Sequence, residues 1–221
     1  MEPSADTPHD SPSRAVAAPA RGESRSYRYF LIELLIVTSG VLIALSVDSL
    51  REWNQYRMLV REARATIARE IADNKREVDV FLSEIPDRKT HISNALTLAN
   101  DLLTTKKSNI QQFKLGFSIA ELSAASWQSA ERTGALSHMD YSEVQRYSRL
   151  YAFQELFAAQ QRQAVQRLAS AIAILSDTTP HEAHPDDLRA FRQELLVLGA
   201  DLKVEEQLAG RLTELYAEAL K

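Results

Sequence analysis

Phe30–Val47 reads FLIELLIVTSGVLIALSV, eighteen residues of which only Glu33 is ionisable. A helix rises 1.5 Å per residue, so the run covers roughly 27 Å, close to the thickness of a bilayer's hydrocarbon core. It is apolar around the whole helical circumference, which suits lipid better than the one-sided face of a soluble helix. Tyr27 and Tyr29 stand before it and Trp53 and Tyr56 after it, where amphipathic rings anchor at headgroups. The pattern predicts a transmembrane helix over residues 29–50. Ala44-Leu45-Ser46 has the small-x-small form that signal peptidase accepts, so cleavage after Ser46 is the alternative, and the mass of the mature chain separates the two.

Outward from the span, residues 1–28 are rich in Pro, Ser, Ala and charge, with no aromatic before Tyr27. Such a stretch buries too little apolar surface to offset chain entropy, and it reads as a disordered tail. Arg14, Arg21, Arg25 and Arg28 precede the span while Arg51, Arg57, Arg61 and Arg64 follow it, so the positive-inside count is close to a tie. Inside the span, Glu33 lies near one end, where it snorkels to the headgroups or bonds a partner helix. Gly40 and Ala44 form a small-xxx-small pair through which two helices can approach. Glu33, Gly40 and Ala44 are therefore the candidates for transmembrane association.

After Asp48 the composition changes to that of a charged, helix-forming chain. Only Pro86, Pro180 and Pro185 occur beyond the tail, which favours long helices. A three–four spacing through Leu50, Trp53, Arg57, Val60, Arg64, Ile67, Ile71, Asn74, Val78, Phe81 and Ile85 predicts a coiled-coil-like helix continuing from the span to about Ser83, with Arg57, Arg64 and Asn74 as polar interruptions. Pro86 is expected to end it, and residues 87–104 to form a second helix. Ser118-x-x-Glu121 has capping-box spacing and predicts a short helix through Ala130, closed at Gly134. Asp140-x-x-Glu143 predicts the start of a long helix to about Leu175 along Val144, Tyr147, Leu150, Phe153, Phe157, Ala164, Leu168, Ile172 and Leu175. Pro185, with Asp186 and Asp187 in the first turn, opens the last helix. No segment alternates with period two. The expected fold is all-α: a transmembrane helix followed by an antiparallel bundle of about four long helices and a short one over 51–221.

Chemistry is sparse. The chain has no cysteine, which excludes disulfides, thiolate metal sites and a cysteine nucleophile. The net charge of −4 gives no basic footprint for nucleic acid. His181 and His184, followed by Asp186 and Asp187, gather metal-capable groups in a loop, without the i,i+4 geometry of a helical two-histidine site. They are weak metal candidates; a solvated loop and a helix N-terminus are the plainer reading. Trp127, Arg132, His138, Asp140 and Tyr141 surround a glycine turn and are candidates for a pocket or partner contact, against the plainer reading of a core tryptophan beside a capped turn.

The stretches Tyr29–Val37, Gly40–Leu45 and Val47-Asp48 follow the form E-x-x-I-V-x-x-G-V-L-I-A-L-x-V-(D/N). In this respect the chain resembles a broad group of bacterial membrane-anchored helical proteins to which no activity is assigned. In that group the span runs directly into a charged helix bearing a Trp-Asn pair; here Trp53-Asn54 supplies the pair three residues later than the pattern places it. A second similar patch comprises Ser126-Trp127, Thr133-Gly134-Ala135-Leu136 and Met139-Asp140-Tyr141. The resemblance implies a bacterial inner-membrane protein with a cytoplasmic N-terminus and a periplasmic helical domain, and it implies no catalytic residues. The expected function is a membrane-tethered, non-enzymatic interaction, sensing or scaffold module without a cofactor. Its expected partners are the lipid bilayer and either another copy of the chain or another envelope protein. A metal-assisted envelope enzyme using His181 and His184, and a homo-oligomer formed through the transmembrane and juxtamembrane helix, are the alternatives.

Overall fold

A computed structural model describes residues 23–110, 113–116 and 118–220, with the backbone alone for 23–26. Among the described residues the fold is all-helical: α1 (Glu23–Thr105), α2 (Ala125–Arg132), a 3-10 turn (Ala135–His138), α3 (Tyr141–Ile174) and α4 (Pro185–Ala219). The chain divides into two compact units, Met1–Trp53 and Asn54–Lys221.

In the first unit, the described side chains from Tyr27 to Trp53 are all exposed. By length and composition this part of α1 is apolar enough to cross a membrane. Two of the three hydroxyls in Phe30–Val47 turn back on their own backbone, Thr38 Oγ1 donating to the Leu34 carbonyl and Ser46 Oγ to the Leu42 carbonyl, both at 2.7 Å. That leaves few polar groups in need of outside partners. The tail expected over 1–28 lies outside the described residues up to position 22, but residues 23–28 already belong to α1. Once a helix is nucleated, each added residue gains a backbone bond, so its end runs past the apolar boundary.

In the second unit, Pro86 does not end the helix: the expected helices 51–83 and 87–104 are one, with Pro86 inside. The buried stripe Val60, Ala63, Ile67, Ile71, Asn74, Val78, Phe81, Ile85, Arg88, Ile92, Ala95, Ala99, Leu102 passes the proline without a change of phase. Pro86 itself lies on the exposed face. Burial on both sides of it therefore offsets the roughly 3 kcal/mol that an interior proline costs a helix. Lys106, at φ 56°, turns the chain out of α1.

The second departure is the segment that follows. The helix expected to open at Ser118 begins only at Ala125, and residues 118–124 carry no regular structure. The reason is visible in the order of contacts. Arg64 meets Glu143, Asn74 meets Gln154 and Phe81 meets Phe157, so partners ascend together along α1 and α3. Asp79 meets Thr213, Lys89 meets Glu206 and Asn100 meets Arg192, so along α1 and α4 they run in opposite order. The link from α1 to α3 must travel back along α1. An extended chain advances about 3.3 Å per residue against 1.5 Å in a helix, so nineteen residues reach roughly 60 Å, as far as about forty helical residues. Among its described residues the connection holds no helix that would shorten its reach.

The later boundaries match their sequence signals. Gly134 closes the α2 turn at φ 75°, the left-handed conformation that suits glycine. Asp140 is the N-cap residue of α3 but makes no side-chain cap bond; Glu143 instead binds Arg64 at 2.6 Å. Pro185 opens α4, where the His184 ring accepts a bond from the Asp186 N–H. The core is closed by Ile67, Ile71, Val78, Phe157, Leu212 and Tyr216, with Phe81 edge-on to Phe157 at 5.2 Å.

Candidate functional site

The chemistry of the second unit is concentrated in a polar seam where the segment 118–126 crosses the helices. Where a segment without regular structure lies against helices, its inward N–H and C=O groups have no ladder partner and must be satisfied by side chains. Two amides do this in the manner of a strand edge. Gln161 takes the Ala120 N–H at 2.8 Å and donates to the Ala120 carbonyl at 3.2 Å. Asn74 takes the Ser123 N–H at 2.9 Å and donates to the Ser123 carbonyl at 2.7 Å. Gln154 donates a further bond to the Ser123 carbonyl at 2.9 Å, and its own oxygen accepts from Asn74 and from the Tyr216 hydroxyl. At the beginning of this segment, the strap, Arg88 donates to the Ser118 carbonyl at 2.7 Å and to Glu84 at 2.6 Å.

At the end of the strap stands Glu70, 8% exposed on α1. The N-cap residue of α2 is Ala124, which has no capping side chain. Glu70 supplies the cap from outside, accepting the Ser126 N–H at 2.9 Å, the Ser123 hydroxyl at 2.7 Å and the Tyr151 hydroxyl at 2.7 Å. Burial pushes its carboxyl up, but the bonds from Ser126, Ser123, Tyr151 and the Trp127 N–H outweigh that and hold it below the ordinary carboxylate range. Burial beside this carboxylate pushes the Tyr151 hydroxyl well above its usual range. Glu70 is thus an ionised acceptor with its lone pairs taken, the reverse of a poised general base. A shallow cleft of about 320 Å³ opens beside it, bounded by Thr66, Arg69, Asp73 and Ser126.

Of the sequence candidates, Trp127 borders the seam through its N–H on Glu70, and the others fall elsewhere. Trp127 stacks on Tyr151 with ring centroids 5.4 Å apart and lies edge-on to Tyr147, so it closes the core. His138 stacks on Tyr56 at 3.9 Å. Asp140 stands 3.8 Å from the Arg64 guanidinium, and the exposed Tyr141 pairs its hydroxyl with Gln145. Arg132 is exposed in the last turn of α2. No described contact joins Trp127 to the other four. His181 and His184 are both exposed, and no group of three or more metal-capable side chains converges among the described residues. Glu33, Gly40 and Ala44 lie on the exposed apolar part of α1, with open space around Gly40.

Of the helix side chains that hold the segment, sequence reasoning singled out Asn74, as an interruption in an apolar stripe. The same signal runs through α3, where Gln154 and Gln161, seven residues apart, occupy core places in the spacing Tyr147, Leu150, Gln154, Phe157, Gln161, Ala164. It runs through α4 as well, where Glu205 sits in the spacing Leu198, Leu202, Glu205, Ala209, Leu212. Polar residues at such positions specify a partner at some expense of stability. Comparison with protein families, curated proteins and solved structures finds no match to this chain.

Proposed function

We propose that this chain is a membrane-tethered, non-enzymatic helical module of the bacterial inner membrane, with its N-terminus in the cytoplasm and its helical domain in the periplasm. The observation that supports the tether is an exposed apolar helix over Phe30–Val47 whose described side chains find no protein cover. In this reading the second unit is a bundle in which α4 runs antiparallel to α1 and α3. The non-enzymatic part of the reading is supported by the use of its buried polar groups, because Glu70, Asn74, Gln154 and Gln161 are spent on holding the chain's own backbone. Another envelope protein or a second copy of the chain is the proposed partner.

Alkaline carbonate extraction of membranes from a bacterial host tests the tether. The full chain is expected to stay with the membrane pellet. Val41→Arg, which places a charge near the centre of the apolar run, is expected to shift a large part of it out, since such a charge costs about 3 kcal/mol in bilayer insertion. A full chain released by carbonate would refute the reading.

A further inference from the structure

The polar groups of α3 and α4 are used in opposite ways. Where α3 meets the strap, Gln154 and Gln161 are engaged with backbone groups. The inward polar groups of α4 are carboxylates, and few of their bonds are made. Glu194, Asp201 and Glu205 share one face of α4, seven and four residues apart. Glu194 Oε2, Asp201 Oδ2 and both oxygens of Glu205 are buried without a hydrogen bond. Arg167 of α3 stands 3.6 Å from Glu194 and 3.9 Å from Asp201, beyond hydrogen-bond length in both cases. Gln160 of α3 reaches the other oxygen of Asp201 at 3.4 Å.

Glu205 is the most enclosed of the three, at 1% exposure. A buried carboxylate without hydrogen bonds is costly, and the neutral acid is far better accommodated. Burial pushes Glu205 up to about 7, with the charge of Arg88 on α1 working against that and the charge of Asp201 on α4 adding to it. Lys89, beside Arg88 on α1, is already paired with Glu206 at 2.7 Å. Leu195, Leu198, Leu202 and Leu212 bury the rest of this face of α4. A charge formed at Glu205 is therefore either carried in the core or relieved by moving α4 away from it.

We propose that the docking of α4 is proton-coupled, with Glu205 as the proton-binding group in the middle of the helix. Protonated, Glu205 lies neutral in the core and α4 is held firmly by its leucines. When the proton leaves to solvent, α4 loosens from its neighbours around residues 198–209. The docked helix holds more protons than the released one between about pH 4.5 and 7, because the carboxyl is raised above its ordinary value. Docking is thus strongest below that window and weakens as pH rises through it. The inference concerns the helical domain and stands whether or not α1 spans a membrane.

Hydrogen exchange of the full chain in detergent micelles at about pH 5 and about pH 8, corrected for intrinsic exchange rates, tests it. Protection of the amides of 198–209 is expected to fall by about tenfold or more at the higher pH, with the amides around Phe157 changing less than about twofold. Glu205→Gln, and Glu205→Met as a second neutral replacement, are expected to keep α4 protected at both pH values. No fall in the unmodified chain, an equal fall around Phe157, or a fall that persists in either variant would overturn the proposal.

Discussion

Replacing Gln161 by leucine is expected to lower the unfolding free energy by about 3 kcal/mol, although leucine is the more usual core residue. The amide gives one bond and takes one from Ala120, and both backbone groups lose their partner together. A buried donor or acceptor left unsatisfied costs about 1–3 kcal/mol. Asn74→Leu is expected to cost somewhat less, because the Ser123 carbonyl keeps its bond from Gln154. Gln163→Leu, at an exposed position of the same helix, is the control and is expected to change stability by less than about 0.5 kcal/mol. The double variant carries more information than either single one. Once the strap detaches, water satisfies its backbone, so the combined loss is expected to fall well short of the sum. Denaturant unfolding followed by circular dichroism measures all four; full additivity would mean that the two amides do not hold one segment.

The second large effect is at Glu70. Glu70→Ala removes the acceptor for the Ser126 N–H and for the Ser123 and Tyr151 hydroxyls, leaving Tyr151 buried and α2 uncapped. The expected loss is about 3 kcal/mol near neutral pH, from an N-cap worth about 1 kcal/mol and a stranded buried hydroxyl. Because its carboxyl is held below the ordinary value, its contribution is present above the normal carboxylate range and is lost as pH falls through its own lower value. The unmodified chain is therefore expected to weaken in acid, and Glu70→Gln to flatten that limb. The sign is opposite to that of Glu205, whose burial weakens the fold as pH rises toward 7. A pH series of denaturant midpoints for both glutamine variants separates the two, and a Glu70→Gln chain with an unchanged acid limb would contradict the capping role.

The helices were largely legible because helix period and apolar spacing report burial directly. The start of α4 at Pro185 and the glycine at 134 followed from local chemistry, and α3 starts after Asp140 as its spacing implies although Glu143 is taken by Arg64 rather than by a capping box. Pro86 misled because its cost is local, whereas the in-phase burial of Phe81, Ile85 and Ile92 around it is tertiary. Ser118-x-x-Glu121 misled in a related way. The capping spacing is present, but the Ser118 carbonyl is held by Arg88 and the Ala120 backbone by Gln161, so the segment does not become helical. The seam was half legible. Asn74 stood out against apolar neighbours, while Gln154 and Gln161 were hidden by a stripe traced through Phe153, one residue away from the buried face. Glu70 carried no local signal, because what it caps lies more than fifty residues downstream.

Single-cysteine labelling tests the tethered-domain account most directly, since the chain has no cysteine of its own. One variant carries cysteine at Ser13 in the N-terminal segment and another at Asp177, exposed in the turn between α3 and α4. Intact bacterial cells are treated with a membrane-impermeant maleimide. Labelling at 177 but not at 13 is the predicted result, and it places the helical domain in the periplasm. Labelling at 13 but not at 177 would contradict the orientation, and equal labelling of the two only after lysis would contradict the span.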